Sequence, residues 1–202
     1  MILFALTSAP AAEPVSAADF RAYARLDDGG DEAVITRMLK DARKLCEAFT
    51  RRAFITQTWT ATLDRWPTVL AEDSGDGWPF YTALSRRRVR LSPTPLASIS
   101  SVIVDGVTIA STNYRLAGDE IVVKGEVTDS TDELGGGIVI TFVAGYGASS
   151  ASVPEPILDA ILAQAGEMYE QRELSSDTMR QACGPGVTAR LAPYVAMREL
   201  TP

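Results

Sequence analysis

The chain contains no histidine. That removes the usual general base for a serine or cysteine nucleophile, and the commonest zinc ligand. It has two cysteines, Cys46 and Cys183. One disulfide is conceivable, but Cys46 falls on an apolar helix stripe, where a buried free thiol is the simpler expectation, and a reducing cytosol fits. No apolar run approaches the roughly 18 residues of a membrane span. The apolar start, Met1 to Leu6, is short and has no basic region before it, so a signal peptide is not expected. Positive charge is also in deficit: 19 Lys and Arg face 26 Asp and Glu, a net charge of −7. Bulk electrostatics therefore disfavours gripping nucleic acid, though not lying beside it.

What the sequence does have is one helix pattern written twice. The first copy is Val34, Ile35, Met38, Leu39, Ala42, Leu45, Cys46 and Phe49. The second is Ile157, Leu158, Ile161, Leu162, Ala165, Met168 and Tyr169. Each forms a single stripe on a helix. The offsets match, and Ala42 and Ala165 fall at equivalent places, which predicts two helices facing each other. The pairing residues would be Val34, Met38, Ala42 and Leu45 against Ile157, Ile161, Ala165 and Met168. The residues between them then read as an insertion.

Local signals fill in this frame. Residues 7–15 read as an extended lead-in. Ser16 and Asp19 suggest a capping box, with Val15 and Phe20 as its hydrophobic staple, opening a helix that runs to about Leu26. Asp27 to Asp31 breaks that helix and caps a second one ending near Thr50. The period then changes to two at Ile55–Leu63, a half-buried strand. Further strands are predicted at Arg88–Leu91, Ile99–Val104, Val107–Ile109, Tyr114–Leu116, Ile121–Lys124 and Ile138–Val143. Asp105-Gly106 marks a hairpin. Residues 67–86 read as a long loop. Pro154 and Pro156 precede a helix running to about Arg172. Gly184-Pro185-Gly186 reads as a flexible joint. The expected fold class is α+β: two long paired helices plus short helices, carrying an inserted antiparallel β-domain. The expected divisions are 1–53 helical, 54–148 β, and 149–202 helical with a flexible tail.

The candidate sites are few. Asp73–Gly77 and Asp129–Glu133 lack the ligand spacing of a calcium loop and read as solvated turns. Arg86, Arg87, Arg88 and Arg90 form the one basic cluster. It could contact DNA or a neighbouring subunit, or protect a strand edge. Trp59 reads as core, whereas Trp66, Trp78 and Tyr81 leave open a ligand- or carbohydrate-binding β module. No carboxylate pair has the look of a glycosidase or other hydrolase. Apolar residues spaced through the tail, Val187, Leu191, Pro193, Tyr194, Val195 and Met197, either dock on the chain's own core or insert into a partner.

An ordered set of segments resembles the head–tail connector (adaptor) proteins of long-tailed phages and their relatives in gene transfer agents. The segments are Val15–Phe20, Tyr23–Asp27, Ala42-Arg43 with Cys46–Phe54, and Ile55–Trp59. They continue with Phe142–Gly147, Val153–Ile157, Ala160–Leu162, Tyr169–Glu173 and Leu191–Tyr194. Residues 67–86 and 124–137 carry none of it. The resemblance implies a structural, non-enzymatic role without cofactor or metal. It implies a ring, usually of twelve copies, beneath a capsid portal, with DNA passing through its channel and tail-side stopper or tail-terminator proteins attached below. The portal-binding residues it implies are Val187, Leu191, Pro193, Tyr194 and Met197, on a tail that orders on assembly. The implied location is the bacterial cytoplasm during assembly, then the neck of a virion or gene-transfer particle.

Overall fold

The computed structural model describes residues 2–26, 32–67, 87–132, 135–170 and 183–196. The architecture is α+β, with antiparallel pairing inside both of its sheets. Contacts group Met1–Ala9 with Gln57–Ala144, and Pro10–Thr56 with Gly145–Pro202.

The β unit holds two sheets. One has five strands in the order β1 (Ile2–Ser8), β2 (Gln57–Leu63), β8 (Ile138–Ala144), β4 (Leu96–Val104) and β5 (Val107–Thr108). The other has three, in the order β3 (Arg87–Arg90), β7 (Glu120–Val123) and β6 (Tyr114–Ala117). Period-two alternation places Ile138, Ile140, Phe142 and Ala144 of β8 inside, while the residues between them are half-buried. On β2 the same alternation buries Gln57, Ala61 and Leu63 and leaves the threonines half-exposed. The Asp105-Gly106 turn joins β4 to β5, with both residues at positive φ, as a tight two-residue hairpin requires.

The helical unit begins with α1 (Ala17–Ala24), whose capping box is complete. Ser16 Oγ accepts from Asp19 N at 3.1 Å, and Asp19 Oδ2 accepts from Ser16 N at 3.0 Å. Val15 and Phe20 are both buried, as the staple requires. The long helices are α2 (Glu32–Thr50) and α3 (Glu155–Glu170). They pack together, and Ile35, Met38, Leu39, Ala42, Cys46, Ile157, Ala160, Ile161 and Ala165 share one core. Phe20 meets Tyr169 edge to face, with centroids 5.9 Å apart. A fourth helix, α4 (Pro185–Leu191), packs on α3 and runs into a 3-10 turn at Ala192–Tyr194.

Three expectations are corrected. Ile2–Ser8 is not part of a helical segment, because it pairs with β2 as an edge strand. The divisions expected at 54 and 148 also move. Ile55 bridges to Gly147, Thr56 N donates to Gly147 O, and Tyr146 N donates to Phe54 O, so these residues group with the helices. Finally, Gly184-Pro185-Gly186 opens a helix rather than a flexible joint. Gly184 is its N-cap and Pro185 its first residue, where a missing N–H costs nothing.

Candidate functional site

The C-terminal segment was expected to be free until assembly. Over residues 183–196 it is folded onto the chain itself. Val187 and Leu191 stand one turn apart on α4 and are fully buried in the core that α2 and α3 share. Val187 and Leu191 therefore seat α4, and the expectation of a free apolar hook is corrected at these two positions. Pro193 and Val195 are exposed, and Tyr194 is half-buried. Met197 lies outside the described residues.

Two contacts fasten the turn after α4. Arg52 Nε donates to the Tyr194 carbonyl at 2.5 Å. Ala196 N donates to the Thr50 carbonyl at 2.9 Å. The C-terminal end of α2 thus supplies both an orphan carbonyl and a cation to the segment. At the other end of the segment, Cys183 is buried in the same core as Cys46. The hydrogen bond that the Cys46 thiol donates to Cys183, together with burial, pushes the Cys46 thiol well above its ordinary value.

A buried ionic cluster, which the sequence reading did not single out, fixes the middle of α2. Arg43 is 5% exposed. Its Nε donates to Glu13 Oε2 at 2.7 Å, and its Nη1 donates to Glu47 Oε2. The other Glu47 oxygen accepts from Phe54 N at 2.8 Å. The available signal was the Arg43–Glu47 spacing of four beside an apolar stripe. Among the pairing residues, Met38, Ala42, Ile157, Ile161 and Ala165 are buried, and Leu45 and Met168 are half-buried against the core. Val34 is 54% exposed and lies off the packed stripe.

The arginine cluster maps to β3, the edge of the three-stranded sheet. Arg87 Nη1 donates to the Val127 carbonyl, and Arg88 pairs with Glu120 at 3.5 Å. Arg90 is exposed, and Arg86 lies outside the described residues. Trp66 is no ligand platform: it is 3% exposed, and its indole N–H donates to the Thr128 carbonyl at 3.2 Å. Trp78 and Tyr81 lie outside the described residues. Asp129 and Asp105 have structural work in this turn. Asp129 Oδ1 accepts from Trp66 N and Ser130 N, both at 3.0 Å. Asp105 accepts from the Ser130 hydroxyl and from Thr131 N and Oγ1. The Ser130 hydroxyl and then the Thr131 N–H hold Asp105 below the usual carboxylate range. Among the described residues there is no cluster of three acidic or cysteine side chains able to hold a metal. No described helix is long and apolar enough to cross a membrane.

Neither a protein-family model nor a curated protein matches the chain. Solved structures do. A chain in the neck of an empty gene transfer agent particle, computed with C6 symmetry, superposes with TM-score 0.74 at 21% identity. A chain in the virion of a native gene transfer agent particle gives 0.71 at 21%. A chain in the native neck, computed with C12 symmetry, gives 0.69 at 22%. Each superposition covers 99% of this chain and 98% of the other. The fold of this chain is therefore the fold of those neck and virion chains, over nearly its whole length.

Proposed function

We propose that the chain is a structural neck component, a head–tail connector that forms an oligomeric ring under a capsid portal and lets DNA pass. The observation that carries this reading is the coverage. Both units, not one common module, align from end to end with neck chains that solve in symmetric assemblies. A partial match would fit any helical hairpin or small sheet, but a match that covers 99% of this chain, both units included, is far more specific. The net charge of −7 suits a channel wall past which DNA slides without sticking.

In this reading the partners are the portal protein on one side and a tail-side stopper or tail-terminator on the other. Twelve copies form the ring, and the protein is not an enzyme. Portal contact falls to Pro193, Tyr194 and Met197 of the C-terminal segment, while Val187 and Leu191 anchor that segment. The working location is the neck of a virion or gene-transfer particle, reached after synthesis in a bacterial cytoplasm. The test is electron microscopy of intact purified portal mixed with this protein. A ring of added density on the portal is expected, and bare portals at saturating protein overturn the reading.

A further inference from the structure

The strand edges of the β unit differ in chemistry. β3 is Arg-Arg-Val-Arg, and charge of one sign on an edge discourages a further strand from adding. β1, at one edge of the five-stranded sheet, is Ile-Leu-Phe-Ala-Leu-Thr-Ser, without a charge or a proline. All seven of its residues are exposed. Ile2, Leu3, Phe4 and Leu6 are 38%, 56%, 38% and 48% exposed, four of the eight exposed large hydrophobics among the described residues. Among the described residues the opposite edge is also open. Among the described residues, β5 pairs with β4 only at Ile103 and Val104, so no described strand lies beside Leu96–Ser101 on that side, a stretch again without charge or proline. Among the described residues, no main-chain hydrogen bond reaches the outer side of Leu96–Ser101.

Strand direction makes these two edges complementary. β1, β2, β8 and β4 are linked by antiparallel pairings throughout, so β1 and β4 run in opposite senses. When a second copy is set beside the first in the same orientation, its β1 meets β4 antiparallel, like every other pairing in the sheet. The geometry points to a head-to-tail join in which β1 of one copy adds to Leu96–Ser101 of the next copy of this chain. Such a heterologous contact uses both open edges of every copy and closes into a ring when the rotation per copy allows. A two-fold pairing of β1 with β1 would leave β4 bare. The inference rests on the ring reading above and names the surface that builds the ring.

Register shifts at Ala97 and Ser100 twist β4 and keep the ladder short. A short ladder with this apolar patch buries less than the roughly 800 Å² per partner of a standard stable pair. The join is therefore weak between free copies and strengthens where a partner holds many copies together.

The test is cross-linking of the full chain at millimolar concentration. Leu6→Cys is combined in turn with Ala97→Cys, Ser98→Cys and Ser100→Cys, all at exposed positions, and treated with a short bis-thiol reagent. The unsubstituted chain, whose two thiols are buried, sets the background. At least one double variant is expected to give a ladder of trimers and higher species, with Leu6→Cys alone giving none. Adding Leu3→Lys is expected to cut the ladder about tenfold by placing an unpaired charge on the edge. Dimers from Leu6→Cys alone, or no species above dimer from all three double variants, overturn the join. Portal rings without a ladder sink the join and leave the adaptor reading standing; a ladder without portal rings does the reverse.

Discussion

The guanidinium of Arg52, two residues past the end of α2, donates its Nε hydrogen to the main-chain carbonyl of Tyr194 at 2.5 Å. These residues are 142 positions apart, and the bond clips the turn after α4 to the helical core. A single charged donor on a backbone acceptor contributes about 1.5 kcal/mol, less where water competes. Arg52→Ala is expected to lower global stability by about 1 kcal/mol. The larger effect is local: hydrogen exchange at Ala196, whose N–H bonds to the Thr50 carbonyl, should speed up by at least tenfold. Unchanged protection at Ala196 would show that the apolar anchors alone hold the turn.

Arg43 tests a different kind of bond. It is buried between Glu13 and Glu47, and removing it strands two carboxylates of which Glu47 also serves Phe54 N. Arg43→Ala is expected to cost about 3–5 kcal/mol in urea unfolding. The double change Arg43→Met with Glu13→Gln should recover part of that loss, because one orphaned charge is gone. Equal instability in both variants would mean that packing of the arginine stem, rather than charge pairing, dominates.

How much of this was legible in the sequence depends on where each signal is stored. The strands and the α2–α3 pairing rest on local periodicity, and the predicted spans agree with the observed ones to within a few residues. The capping box at Ser16 was readable because both partners lie three residues apart. β1 was missed because an apolar run of Met-Ile-Leu-Phe-Ala-Leu looks alike as a leader or a strand until β2 is present to pair with it. α4 was missed because Gly-Pro-Gly punctuates both loops and helix starts. Only the burial of Val187 and Leu191 on one face distinguishes the two. The Arg43 cluster needed Glu13, which is 30 positions away and carries no local signal.

Two glycines at positive φ make a contrasting pair. Gly145 has φ 136°, and an added Cβ would sit 2.7 Å from the Ile55 carbonyl carbon and oxygen and from Thr56 N. Main chain cannot swing aside, so Gly145→Ala is expected to cost more than about 3 kcal/mol, with overpacking added to strain. Gly106 has φ 78° with open space around its Cβ position, and Gly106→Ala should cost only about 1 kcal/mol. Thermal denaturation of both variants checks the order, and equal losses would remove the close-approach argument.

Asp105 gives the β unit an acid-sensitive element. Its carboxylate is held below the ordinary range by the Ser130 hydroxyl and the Thr131 N–H. A group whose folded pKa is depressed adds stability above its unfolded pKa, about 4, and loses that contribution as pH falls through the folded value. Asp105→Asn is therefore expected to lower the urea midpoint at pH 7 and to change it little at pH 2. A variant that loses equally at both values would point to shape rather than charge.

Cys183 can report whether α4 stays seated when a partner binds. It is 3% exposed, lies two residues before Pro185, and shares a core with Cys46, Val187 and Leu191. In the free protein, labelling by a maleimide should be limited by opening of the α4 segment. Leu191→Ala, which removes a fully buried anchor at a cost of about 2–5 kcal/mol, should accelerate Cys183 labelling far more than Cys46 labelling. If the portal takes only the Pro193–Tyr194 edge, adding portal should slow Cys183 labelling. If the portal instead peels α4 away and takes Val187 and Leu191 into its own groove, labelling should rise. Site-resolved mass spectrometry at the two cysteines separates these outcomes. Only the first is consistent with α4 acting as the fixed base of the contact.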